Sequence, residues 1–142
     1  MTEARPRLEP GGGGTMFKLV YVKDGKIHMK KYAILENMEM DLDILHRHPY
    51  PVWVLASDDD EEWSVMDIVN LRTCWHRVPE CRWPKEFLKA EDGFTGRRFD
   101  YSPQLNVYCF YKHGRTMEGY DMYYHVVMDM HGNAFTYTTY GR

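Results

Sequence analysis

The segment LRTCWHRVPECRWP, residues 71–84, brings two cysteines, a histidine, two tryptophans and three arginines into one short span. Zinc chemistry is the first reading to weigh, because thiolate and imidazole are its preferred donors. Structural zinc sites, however, draw on Cys pairs two to four residues apart, and Cys74 and Cys81 have six residues between them. Cys74 and His76 point the same way only in extended backbone and diverge on a helix. The spacing therefore predicts no metal site. With Cys109 the count of thiols is odd, which fits reduced cysteines rather than a disulfide framework.

Nucleic-acid binding uses the same residues better, since phosphates need Lys or Arg and unpaired bases need aromatic platforms. Between Val69 and Arg115 there are nine Lys or Arg against five Asp or Glu, while Met16 to Ile68 has six against eleven. Arg72, Trp75, Arg77, Arg82, Trp83, Arg97 and Arg98 are the candidate contacts. Against them stand an overall charge of −3 and the ordinary fate of such residues, solvated arginines and core tryptophans.

A third chemistry is acid–base cleavage of a phosphodiester by His113, Arg115, Glu118 and His125. Its geometry is not readable from spacing, and no nucleophile elbow, HExxH helix or kinase motif accompanies it. Acidic runs in ENMEMDLD and at Asp58, Asp59 and Asp60 suit either helix N-termini or a basic partner. They lack the alternation and turn glycine of a calcium loop. Eight of the eleven tyrosines fall after Asp100, and adjacent Tyr123 and Tyr124 must face opposite sides of a strand. Exposed Tyr offers contact area at small entropic loss. The favoured function is accordingly non-enzymatic binding of another protein, as an accessory or inhibitor, through Tyr123, His125, Asp129, Tyr140 and Asp58–Asp60. Single-stranded nucleic-acid binding by the 72–98 segment is the alternative, and the His/Arg phosphodiesterase or ribonuclease the second. No cofactor is implied.

These side chains need elements to position them. In MTEARPRLEPGGGGT, two prolines and four consecutive glycines predict a disordered tail or linker over 1–15, with Met16 a plausible native start and 16–142 a single domain. MFKLVYVKDGKIHMKKYAIL predicts a hairpin turning at Asp24-Gly25. Asn37 is a candidate N-cap for a helix carrying Met38, Leu42 and Leu45, closed by His46, Arg47 and His48. VWVLA reads as a central strand. The spacing of Ser57 and Asp60 resembles a capping box, so SDDDEEWSVMDIVNLRTCWHRV is expected to be helical, with an acidic-loop hairpin as the competing form because Val65, Ile68 and Val69 are β-branched. Pro84 would open a short helix through Lys89, stopped at Gly93.

LNVYCFYK, DMYYHVVMDM and AFTYTTY then predict a three-strand antiparallel meander. Within DMYYHVVMDM the Met122, Tyr124, Val126 side is expected to face the core, with Tyr123, His125 and Asp129 outward. The fold class is α+β: a mixed, largely antiparallel sheet with two or three helices packed on one face. No apolar run reaches the ~18 residues of a membrane span and no secretory h-region is present, so the expected setting is cytoplasmic.

Overall fold

The hairpin at Asp24-Gly25 forms where local chemistry demands it. Both turn residues take positive φ, 54° and 75°, as a two-residue turn matching the twist of its strands requires. In this computed structural model, which describes residues 14–89 and 94–141, the turn joins β1 (Met16–Lys23) to β2 (Lys26–Tyr32). Ahead of β1, Thr15 is buried and its hydroxyl donates to Asp58 Oδ1 at 2.8 Å. Thr15, which falls within the expected tail, is thus tied to the fold; residues 1–13 lie outside the described residues.

The chain divides into two compact units. Among the described residues the first holds 14–21 with His28–Leu71, and the second holds Val22–Ile27 with 72–89 and 94–141. In the first, strands run in the order β2-β1-β3-β4, with β3 spanning Val52–Ser57 and β4 Ser64–Val69. The pairings of β3 with β1 and with β4 are antiparallel. Val52, Trp53, Val54 and Leu55 are all buried, so β3 is covered on both faces, as its unbroken apolar run predicts.

Helix α1 (Leu35–Leu45) packs Leu35, Met38, Leu42 and Leu45 against Phe17, Leu19, Tyr32, Val52 and Val54. It starts ahead of Asn37. Ile34 holds the N-cap position without a side-chain bond, and the extra turn brings Leu35 onto the apolar stripe at its i, i+3 spacing from Met38.

The expected second helix is instead a hairpin. Asp59 Oδ1 accepts from the backbone N–H of Glu61 and Glu62 at 2.9 Å each, and Asp60 takes a φ of 60°. The acidic run therefore builds a loop, while β-branched Val65, Ile68 and Val69 extend against β3. Pro84 likewise opens only a 3-10 turn, Lys85–Phe87, preceded by another at Glu80–Arg82; Gly93 lies outside the described residues. Among the described residues there is one α-helix, not two or three.

The second unit is an antiparallel sheet in the order β9-β8-β7-β6-β5, where β5 is His76–Arg77, β6 Phe94–Ser102, β7 Val107–Arg115, β8 Asp121–Met128 and β9 Ala134–Gly141. The meander of β7, β8 and β9 is the predicted one, though β7 runs past the expected LNVYCFYK segment to Arg115 and so includes His113. Trp83 and Phe87 cover one sheet face, packing on Phe99 and Phe110, with Val126 and Met128 beside them. The opposite face is also closed at one end, where Cys109, Val127 and Phe135 are buried in directly paired register.

The Val126 side of β8 packs on the core as expected, but burial on the other side corrects the outward half of the assignment. Asp129 is only 8% exposed, and Tyr123, His125, Tyr124 and Val126 are all half-buried. Tyr140 pairs with Met122 while Tyr123 pairs with Thr139, so Tyr140 and Tyr123 belong to opposite faces.

Candidate functional site

Helix α1 leaves an apolar strip uncovered in the first unit. Its buried side is complete, yet Ile34, Met40 and Ile44 are 53%, 67% and 52% exposed. Met40 and Ile44 lie one turn apart on one face. Beside them a groove of about 450 Å³ is lined by Lys30, Lys31, Tyr32, Ile34, Met40 and Asp41, among others. Its cations are answered internally. Lys30 Nζ lies 3.4 Å from Asp41 and Lys31 Nζ 2.9 Å from Asp60, and the Tyr32 hydroxyl donates to Asp41 at 2.5 Å. Burial and that carboxylate together push the Tyr32 phenol above its ordinary range. Glu36 and Glu39, on the same helix but outside the groove lining, are exposed and enter no ion pair among the described residues.

The Asp residues nominated from the 58–60 run have structural duties. Asp58 accepts from Thr15, Asp59 ties the loop, and Asp60 holds Lys31. Hydrogen bonds from Glu62, Glu61 and Ser57 hold the Asp59 carboxyl below the usual carboxylate range.

In the second unit a cleft of about 630 Å³ is framed by the 76–84 segment and by β6 and β7. Tyr101, Tyr108 and Phe99 supply aromatic rings, with Tyr108 parallel to Phe99 at 5.1 Å between centroids and Tyr101 4.7 Å from Tyr108. Arg77, Arg82 and His76 lie on its exposed wall. That wall is tied down: Val78 N donates to Phe99 O at 2.8 Å, and Trp83 Nε1 donates to Val78 O at 2.7 Å. Asp129 also lines the cleft, but its carboxylate is saturated. It accepts from Ile27 N, His131 N, and both the backbone and side-chain nitrogens of Asn133, all at 2.8–2.9 Å. Although burial opposes ionisation, these bonds bring its pKa down to about 2.

The nominated arginine and tryptophan set is thereby split. Arg77 and Arg82 line the cleft, whereas Trp83 is core and Arg97 donates to Phe87 O at 2.9 Å with its guanidinium over the Trp83 ring. Arg98 is bound to Asp100 through Nε at 2.9 and 3.0 Å. Arg72 is exposed and Trp75 half-buried, and neither lines the cleft. Sequence reasoning missed Tyr101 and Tyr108 as partners of Arg77 and Arg82, because only the pairing of His76 with Tyr101 places them together.

The other face of the same sheet carries a ladder of rings. His113 stacks on Tyr123 at 4.8 Å, Tyr111 lies 6.2 Å from Tyr123 and 5.6 Å from His125, and His125 stacks on Tyr137 at 4.4 Å. His113 Nε2 and Arg115 Nε both approach Asp121 Oδ1, at 2.9 and 3.6 Å. The two histidines of the acid–base reading thus share a face, but Glu118 is exposed in the following turn and makes none of these bonds. Burial lowers the His125 pKa to about 4, so near neutrality it is an uncharged ring facing Thr139 Oγ1 at 3.2 Å rather than a proton donor.

Cys74 and Cys81 are exposed thiols and Cys109 a buried one. Among the described residues no group of three His, Cys, Asp or Glu side chains is placed to hold a metal, and no helix is long and apolar enough to cross a membrane. Comparison of the chain with protein-family models, curated proteins and solved structures gives no match.

Proposed function

We propose that this protein acts by binding another protein, with the groove between α1 and β2 as the docking surface and a basic amphipathic segment as the partner's contact. The observation that carries this reading is the exposure of Ile34, Met40 and Ile44 beside a groove whose lysines are already paired. Apolar patches rimmed by polar groups mark interaction sites on soluble proteins, and a helix-in-groove contact needs such anchors. The charge of the partner follows from the surroundings. Among its described residues the first unit carries ten Asp or Glu against four Lys or Arg, so a basic approach is favoured electrostatically. The tyrosine face and Asp58–Asp60 have smaller parts here, because their side chains are engaged within the fold.

The test uses a fluorescein-labelled amphipathic helix of Leu and Lys, titrated against the wild-type protein and against Met40→Ser and Ile44→Ser. Both positions are surface residues, so the variants should keep their melting temperature to within about 2–3 °C. Loss of roughly tenfold in affinity in each variant, with Met117→Ser unchanged, is the expected result. Equal affinity in all four proteins would reject the groove as the docking surface.

A further inference from the structure

We infer that the cleft of the second unit is a binding site for a nucleobase joined to phosphate, with the base on the Tyr101–Tyr108 rings and the phosphate on Arg77 and Arg82. This site is separate from the α1 groove and stands on different residues. A volume near 630 Å³ lies within the range of small-ligand sites and suits one or two nucleotides rather than a folded partner. Its lining divides by chemistry. The part-exposed rings of Tyr101 and Tyr108 rest on the buried Phe99 in a continuous series of ring contacts, and the two tyrosines supply the sequence-tolerant platform on which any base can stack. Arg77 and Arg82 are exposed and enter no ion pair among the described residues, unlike Arg98, whose charge is spent on Asp100. Two guanidinium groups free to make bidentate contacts next to an aromatic floor are matched to phosphate.

Two features would oppose an anion, and both are offset. The carboxylate of Asp129 stays ionised, but its oxygens are turned to four donors of their own, and the two arginines outnumber its single charge. Among its described residues the second unit carries eleven Lys or Arg against seven Asp or Glu, opposite in sign to the chain's −3. Preorganisation adds to this, because Val78 and Trp83 fix the wall that bears both arginines before any ligand arrives.

The full chain is titrated by fluorescence anisotropy with fluorescein-labelled ten-nucleotide oligothymidine and oligouridine, with AMP as competitor, at about 50 mM salt and above. Micromolar binding is expected, weakened at least tenfold by Arg77→Gln with Arg82→Gln. The slope of log K against log salt should become shallower by about 1.4 in that double variant, since each phosphate of a single strand that a cation neutralises adds about 0.7. Arg98→Gln should leave binding unchanged, and ultraviolet crosslinking should place the adduct on Tyr101 or Tyr108. Complete competition by AMP identifies a free nucleotide as the source of the chemistry; binding of strands alone identifies a single-stranded nucleic acid. No binding of oligonucleotide or AMP at low salt, binding indifferent to Arg77 and Arg82, or capture of a proline-rich peptide in their place overturns the assignment.

Discussion

The imidazole of His125 lies flat against the ring of Tyr137, 4.4 Å between centroids and 6° from parallel. A stack of that kind joins β8 to β9 through a directly paired position, and it buries a group that water would rather protonate. Burial accordingly lowers the His125 pKa from 6.5 to about 4.

The sign of the resulting pH dependence is fixed. Because the folded pKa lies below the unfolded one, the unfolded chain takes up a proton first as pH falls, and stability declines from about pH 6.5 down to about 4. The loss attributable to His125 is on the order of 3 kcal/mol across that window. Urea denaturation at pH 7.5, 5.5 and 4.5 should show this decline in the wild type and a shallower one in His125→Gln. Identical slopes in the two proteins would mean that the ring is solvated.

Asp129 governs a lower window. Its carboxylate receives Ile27 N from the Asp24-Gly25 hairpin tip as well as His131 and Asn133 from its own turn, so it fastens two stretches of chain far apart in sequence. With a folded pKa of about 2 against 3.8, its contribution is complete above about pH 4 and is lost as the pH falls toward 2. Replacement by Ala leaves buried donors without an acceptor and should cost about 2–4 kcal/mol. Calorimetric melting at pH 7 measures it, and a change below about 0.5 kcal/mol would show that water substitutes freely.

Thiol reactivity separates the three cysteines. Burial, with a further contribution from the Asp100 charge, pushes the Cys109 thiol up to about 12, whereas Cys74 and Cys81 are exposed. At pH 8 a disulfide reagent such as DTNB should label two thiols quickly and the third only after denaturant is added. Three thiols reacting at one rate in the native protein would contradict the buried position of Cys109.

How far the fold is legible in the sequence follows the range of the interactions involved. The Asp24-Gly25 hairpin and the buried run of β3 are set by residues within a few positions of one another, and both are where local chemistry puts them. The 57–78 segment departs from its expected helix because Ser57, Asp60 and the acids after them satisfy only the local pattern of a helix start. What decides the matter is the partner strand β3, whose register with Val65, Ile68 and Val69 no local pattern reveals. The nominated sites divide the same way. Arg77 and Arg82 can be named from composition, but the rings beneath them come from β6 and β7. The exposed pair Met40 and Ile44 has a signal of its own, i, i+4 spacing beside the stripe of Met38, Leu42 and Leu45, but it is masked because apolar residues in a helix are ordinarily assigned to its core.

The two adjacent tyrosines of β8 give the sharpest check on the revised sheet. Sequence parity assigns Tyr124 to the core and Tyr123 to solvent, yet both are half-buried, and their contacts differ in the opposite sense. Tyr123 stacks on His113 and meets the Tyr111 ring edge-on, while Tyr124 has the Lys112 ammonium 5.2 Å from its ring centre. Aromatic pairs contribute about 0.5–1.5 kcal/mol beyond the area they bury, and an exposed cation–π contact about 0.5–1. Tyr123→Ala should therefore destabilise by about 2 kcal/mol and Tyr124→Ala by about 1, neither reaching the roughly 3–5 kcal/mol of a fully buried aromatic. A double-mutant cycle between Tyr123 and His113 should recover about 0.5–1 kcal/mol of coupling. If Tyr124→Ala proves the costlier change and the cycle shows no coupling, β8 is displaced by one residue and its faces are exchanged, since a single step of register turns every side chain over.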